Sequence, residues 1–77
     1  MQRKVIMEGY LTILEHGDTS WSAYVPDLPG CIAAAETKEE LETLIQEAIV
    51  MHVAGLREDN IPVPEPHTEA SYVQLVA

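Results

Sequence analysis

The segment Trp21-Ser22-Ala23-Tyr24-Val25-Pro26-Asp27-Leu28-Pro29-Gly30 decides the fold. Its first half alternates, with Trp21, Ala23 and Val25 on one side of a strand and Tyr24 on the other. Its second half cannot continue a sheet, because neither proline can donate a hydrogen bond to a β-ladder. The segment therefore predicts a strand with one buried face that ends in a tight turn.

Further strands are predicted on both sides of this segment. Residues 5–15 are rich in β-branched and apolar side chains, and the turn residues His16-Gly17-Asp18-Thr19 would join them to the strand at 20–25 as a hairpin. Residues 31–35 predict a short strand of small side chains. Small side chains allow another element to pack close above that strand.

A helix should follow the third strand. Thr37-Lys38-Glu39-Glu40 fits a capping box, in which Thr37 is the N-cap and Glu40 stands three residues later. Apolar and weakly polar side chains then recur at helical spacing and predict one stripe that faces the sheet. The stripe comprises Leu41, Leu44, Ile45, Ala48, His52 and Leu56, whereas Ile49, Met51 and Val53 lie off it or at its edge. The helix should end near residues 58–60.

The remaining residues complete a β-β-β-α-β order. Prolines at alternate positions in 61–66 favour an extended segment, and residues 71–76 predict a final strand. We expect one α+β domain over residues 1–77, an antiparallel sheet with one helix packed on one face. The other face stays open, and Tyr24 and Tyr72 are expected there as interface residues. Trp21 is expected to fill the core, with an aromatic anchor at an interface as the alternative.

Composition limits the possible functions. The 77 residues carry a formal net charge of −9, which repels phosphate backbones and attracts basic partners, although acidity also serves solubility. No segment approaches the roughly 20 apolar residues of a membrane span, and the single cysteine fits a reducing compartment, so we expect a cytoplasmic protein. A thin core and an uncovered sheet predict a homo-oligomer. The negative charge and the lack of a long apolar segment predict no direct nucleic-acid or membrane contacts.

Catalytic and metal-binding patterns are weak. Asp27 lies in a proline turn, and Glu8 and Glu15 have opposite parity on the first strand, so the sequence predicts no carboxylate cluster for two cations. Cys31 is expected to be a small buried side chain. The three histidines, His16, His52 and His67, form no ligand pair at zinc-site spacing. We therefore expect no enzyme activity, no cofactor and no metal.

The segment Tyr24-Val25-Pro26-Asp27-Leu28-Pro29-Gly30-Cys31 resembles the hallmark loop of HicB-like antitoxins. The resemblance continues through Thr37-Lys38-Glu39-Glu40, Glu47-Ala48-Ile49 and Ile61-Pro62-Val63-Pro64, and it covers roughly residues 10–66. It implies a partial ribonuclease-H-like domain. It also implies that the chain binds and neutralises HicA, a small toxin that cleaves mRNA. Such toxins are basic because they hold RNA, and an acidic antitoxin complements them.

The sequence departs from the family pattern in two respects, and a second function remains as an alternative. Many members carry a C-terminal DNA-binding domain and repress their own operon, whereas this sequence stops at Ala77, so we expect it to act without that module. Ala35 stands where members often have glycine. Toxin contacts are expected at the open face, the loop and the helix rim, through Tyr24, Asp27, Glu39, Glu42 and Glu47. The alternative is an orphan, self-associating structural or regulatory module with no toxin partner.

Overall fold

The computed structural model describes residues 9–76. Its elements are the strands β1 (Ile13–His16), β2 (Trp21–Tyr24) and β3 (Ile32–Ala35), followed by the helix α1 (Lys38–Glu58). The strands form an antiparallel sheet in the order β1-β2-β3, and α1 packs on one face against β3 and β2. The predicted α+β class is confirmed. The part of the first predicted strand at residues 5–8 lies outside the described residues.

The predicted hairpin forms between β1 and β2. The Gly17 N–H donates to the Ser20 carbonyl oxygen over 2.8 Å and closes the turn. The register pairs Ala23 with Leu14 on one side and with Ala33 on the other, and these three side chains share the face that packs against α1. The opposite face of the sheet is left without a helix in the described part of the chain.

The loop between β2 and β3 is held by its own backbone and by one apolar side chain. The N–H groups of Leu28 and Cys31 donate over 3.0 Å to the carbonyls of Val25 and Leu28. The Leu28 side chain is fully buried in the core. Gly30 has a φ of +87°, a backbone conformation that favours glycine. The proline-rich turn is therefore a packed part of the domain.

The ends of α1 agree with the prediction. The Thr37 hydroxyl accepts a hydrogen bond from the Glu40 N–H over 3.2 Å, as an N-cap should. Acidic Glu39 lies in the first turn and basic Arg57 in the last, where each charge favours the helix dipole. The helix ends before Asn60, which takes a left-handed φ of 56°.

The buried stripe of α1 is rotated relative to the predicted one. Leu41 and Ile45 are buried as expected, but Ile49 and Val53 also pack against the core, whereas Leu44 is 36% exposed. The reason is the position of the helix over the sheet. Ile45, Ile49 and Val53 line the same groove as Trp21 of β2, whereas Leu44 does not. Ile49 and Val53, expected off the stripe or at its edge, are half-buried at its edge, whereas the predicted place of Leu44 in the stripe was wrong.

The C-terminal segment forms neither a helix nor a strand between residues 61 and 76. Its first half returns to the body of the domain, where the Tyr10 hydroxyl donates to the Pro64 carbonyl. The predicted strand at 71–76 does not form. A strand needs a neighbour for its backbone hydrogen bonds, and this segment has none within residues 9–76.

Candidate partner-binding surface

An apolar row crosses the open face of the sheet. The register places Ile13, Tyr24 and Ile32 side by side on three adjacent strands. Tyr24 is 43% exposed and Ile32 is 69% exposed. Tyr24 thus lies where the sequence predicted it, and its phenol ring combines an apolar body with a polar tip, as interface tyrosines do. Tyr72, which was expected on the same face, instead lies in the irregular C-terminal segment.

An acidic rim runs along the exposed side of α1. We use this name for Glu39, Glu42 and Glu47, all of which are exposed. Glu42 borders a groove between the helix and the sheet, whereas Glu47 does not line it. Glu39 and Glu47 lie eight positions apart, about 12 Å along the helix axis. At 3.6 residues per turn, Glu42 and Glu47 lie about 140° apart around the helix, so the rim extends around its exposed surface.

The carboxylate of Asp27 is buried and is occupied by the chain's own C-terminal segment. The N–H groups of His67 and Thr68 donate to its Oδ2 over 2.9 and 3.0 Å. The Thr68 hydroxyl donates to Oδ1, and His67 Nε2 lies 3.1 Å from the same oxygen. We call this arrangement the Asp27 clamp. It joins the hallmark loop to a segment 40 residues further along the chain.

The Asp27 clamp also explains the electrostatics of this carboxyl. The hydrogen bond from the Thr68 hydroxyl lowers the pKa of Asp27 below its ordinary value, and the two backbone N–H groups lower it further. Burial acts in the opposite direction and is outweighed. Asp27 is therefore held as a carboxylate that accepts hydrogen bonds.

A groove lies between α1 and the β1 side of the sheet. Its apolar lining includes Leu14, Trp21, Ile49 and Val53, and the segment at 63–66 borders it. Trp21 is half-buried against the core and stacks on His16, with ring centroids 4.3 Å apart and planes 7° from parallel. Trp21 therefore contributes to the core, as expected, and also forms part of this groove.

The structure does not bring the predicted contact residues together in one site. Tyr24 lies on the open face, the acidic rim lies on the helix that covers the opposite face, and Asp27 lies inside the clamp. Sequence reasoning missed Ile13 and Ile32 as neighbours of Tyr24. A signal for them existed, because strands paired around a tight hairpin put residues of matching parity on one face.

The described residues carry one buried thiol and no cluster of metal ligands. Within residues 9–76 no group of three His, Cys, Asp or Glu side chains could hold a metal ion. Cys31 is buried, and burial raises the pKa of its thiol, which disfavours the reactive thiolate. In the same part of the chain, no helix has the length and apolar character needed to cross a membrane.

Comparison with known proteins gives consistent relatives. The chain is 30% identical over 69 residues to Antitoxin HicB 2 of Photorhabdus laumondii, covering 88% of this chain and 50% of that protein. It is 31% identical to an uncharacterised 14.9 kDa protein in the rep-hol intergenic region of Haemophilus phage HP1, covering 83% and 48%. The chain thus spans about half the length of these two relatives.

A third relative is similar in length to this chain. The UPF0150 protein Ta0767 of Thermoplasma acidophilum is 32% identical over 63 residues, which is 82% of this chain and 91% of that protein. No solved structure matches the sequence. The family model described as the HicB_like antitoxin of bacterial toxin-antitoxin system matches residues 10–75, which include the hallmark loop, the helix and the Asp27 clamp. The chain therefore belongs to the HicB-like antitoxin family.

Proposed function

We propose that this chain binds and neutralises a small, basic, HicA-type toxin through protein–protein contacts in the cytoplasm. The observation that carries the proposal is membership of an antitoxin family, matched over residues 10–75. One relative carries the name Antitoxin HicB 2. An antitoxin acts by binding, so the proposed role needs no catalytic group.

Charge supports a basic partner. The formal net charge of −9 gives a field that speeds the encounter with a cationic protein and opposes approach to RNA or DNA. The acidic rim concentrates part of that charge on one exposed helix surface. We assign Glu39, Glu42 and Glu47 as its contact residues. Asp27 acts within the clamp and contributes to the partner surface through the loop that it holds.

The open face supplies the apolar part of the proposed surface. Tyr24 lies between Ile13 and Ile32, so a partner that covers this row would bury a continuous apolar strip around one aromatic ring. Interfaces concentrate their energy in such centrally placed aromatic residues. Because Tyr24 and the acidic rim lie on opposite sides of the sheet, they form two separate contact regions of the domain.

The proposal is tested by growth and by binding. The candidate toxin is a small basic protein encoded beside the gene for this chain, and its expression alone should arrest growth. Co-expression of the chain should restore growth, and the two proteins should co-purify at low salt. Co-expression that leaves growth arrested, or the absence of a complex between the purified proteins, contradicts the proposal and favours an orphan module.

The contribution of the acidic rim is tested by charge reversal. The variant Glu39→Lys, Glu42→Lys, Glu47→Lys should weaken toxin binding by at least about tenfold, since each contact changes from attraction to repulsion. The matched control is Asp18→Lys, Glu58→Lys, Glu65→Lys, which changes three exposed acidic residues elsewhere and alters the net charge equally. Equal loss of binding in both variants would show that net charge, and not the rim, is recognised.

A further inference from the structure

The last six described residues have the pattern of a β-strand without a sheet. Tyr72, Val73, Leu75 and Val76 are between 85% and 107% exposed. The segment is rich in residues that favour strands and contains no proline. Keeping four large apolar side chains in water costs about 25 cal/mol for each Å² of their exposed apolar surface. An exposed segment of this kind indicates an interaction site. We call residues 71–76 the tail strand.

The Asp27 clamp fixes where the tail strand leaves the domain. His67 and Thr68 are held on the buried Asp27 carboxylate, and residue 71 follows three positions later. Three residues span at most about 11 Å. The tail strand is therefore presented from a defined point, which lowers the entropy lost when it binds.

The outer edge of β3 is open within residues 9–76. The Val25 N–H donates to the Cys31 carbonyl oxygen over 3.1 Å, so residues 25 and 31 form a hydrogen-bonded pair. Hydrogen-bonded and non-hydrogen-bonded pairs alternate along an antiparallel ladder. In the observed register, the backbone N–H and C=O groups of Ile32 and Ala34 then point away from β2. They are available to another strand.

The edge of β3 also lacks the features that normally prevent strand addition. Native proteins protect sheet edges with charged side chains or proline. β3 reads Ile-Ala-Ala-Ala and has neither, whereas β1, at the other edge, carries Glu15 and His16. A shallow cleft of about 330 Å³ lies beside the start of β3 and is lined by Cys31, Ile32, Ala48, Met51 and His52. The Met51 side chain on this rim is 74% exposed.

We propose that the tail strand of one copy adds to the β3 edge of a second copy, and that the exchange is reciprocal. The period of two along a strand places Val73 and Leu75 together on one side, where they would cover the apolar cleft. Tyr72 lies on the other side, beside Ile32 of the open face. Reciprocal exchange pairs both open edges and both tails in one closed two-fold dimer.

Charge is consistent with self-association through these two segments. The chain as a whole repels a second copy because its net charge is −9. However, neither β3 nor residues 70–76 contain a charged side chain. Contact through these segments adds no direct pairing of like charges. The proposal is independent of the toxin, because it concerns the chain alone.

The oligomeric state of the full chain provides the first test. Light scattering coupled to size-exclusion chromatography should give twice the 8.5 kDa chain mass. The variant Val73→Pro, Leu75→Pro removes two strand donors and should raise the dimer dissociation constant at least about 100-fold, so that the protein elutes at the chain mass. Its helical circular dichroism should be unchanged, because the tail strand is highly exposed and pairs with no strand in the described residues. The control Val73→Ile, Leu75→Ile keeps both donors and should remain a dimer.

The site of addition is tested by nuclear magnetic resonance and by an edge variant. In a mixture of isotope-labelled and unlabelled chains, intermolecular contacts should join the Val73 and Leu75 methyl groups to Ala33 and Met51, and the Tyr72 ring to Ile32. Ala34→Pro removes an outward donor without removing a bond to β2, and should also produce the monomer. A wild-type monomer at millimolar concentration, a dimer that survives the tail prolines, or contacts of Val73 and Leu75 to Leu14 in place of Ala33 would each overturn the proposal.

Discussion

Asp27 has a structural function that its position in a proline-rich turn did not reveal. Its buried carboxylate accepts two backbone N–H bonds and one hydroxyl bond from residues 67 and 68, so it orders the chain after the helix. A carboxylate buried in this way would be costly without these partners. The hallmark loop of the family thus fixes the path of the C-terminal segment, in addition to any contact that the loop makes with a partner.

The Asp27 clamp predicts a dependence of stability on pH. Because the pKa of Asp27 is lowered in the folded protein, its stabilising contribution is present above the unfolded-state pKa of about 3.9 and is lost as the pH falls through the lower folded value. Thermal unfolding between pH 2 and 6 should show this loss. Asp27→Asn should be less stable than the wild type at pH 6, and the difference should shrink towards pH 2. A difference that is constant with pH would contradict the assignment.

Hydrogen exchange gives an independent test of the same clamp. The amides of His67 and Thr68 should be protected at pH 6 in the wild type and should exchange rapidly in Asp27→Asn. The amides of β2 should stay protected in both proteins, because the sheet does not depend on the clamp. Equal protection of residues 67 and 68 in both proteins would show that other contacts hold the segment.

At the scale of elements, the helix start is a local feature that can be tested by a matched pair. Thr37→Ala removes the hydroxyl that caps the Glu40 N–H and should cost about 1 kcal/mol in urea unfolding. Thr43→Ala removes a hydroxyl at mid-helix, which reaches the Glu39 carbonyl over 3.4 Å, and should stay within about 0.5 kcal/mol of the wild type. Equal losses of stability in the two variants would indicate that the N-cap hydrogen bond of Thr37 does not stabilise the helix.

The rotated stripe of α1 gives a second matched pair. Leu41 is fully buried, so Leu41→Ala should lose about 2–5 kcal/mol, whereas Leu44→Ala should lose less than about 1 kcal/mol because Leu44 is partly in solvent. Both are best measured in the Val73→Pro, Leu75→Pro background, which separates folding from association. If Leu41→Ala does not fold, Ile45→Val should show a graded loss of about 0.5–1.5 kcal/mol. Similar losses at Leu41 and Leu44 would support the stripe as predicted from sequence.

The elements also show what the sequence can and cannot predict. The hairpin and the helix follow from local signals, namely the turn at Gly17 and the capping box at Thr37, and both are confirmed. The rotation of the stripe depends on where α1 lies over the sheet, which helical periodicity does not contain. The Asp27 clamp joins residues 40 positions apart, and no local pattern links them. The pattern at 71–76 specifies a strand but not which chain supplies its neighbour.

At the scale of the whole molecule, the described surfaces divide by chemistry. The acidic rim lies on α1, the apolar row of Tyr24 lies on the opposite face, and the uncharged β3 edge lies between them. An edge contact between two copies leaves the rim accessible and places Tyr72 beside Ile32, so that Ile13 and Tyr24 of the open face stay uncovered. Self-association through the tail strand and toxin binding are therefore compatible in one assembly.

This division predicts opposite responses to salt. Association with the basic toxin should slow by about tenfold or more between 50 and 500 mM NaCl, because screening removes the long-range attraction. The dimer should be unaffected or slightly tighter, because its contacts are uncharged and the copies repel each other less. Stopped-flow mixing measures the first quantity and analytical ultracentrifugation the second. A toxin association rate that does not change with salt would remove the electrostatic argument, and a dimer that dissociates in high salt would place charged groups at its interface.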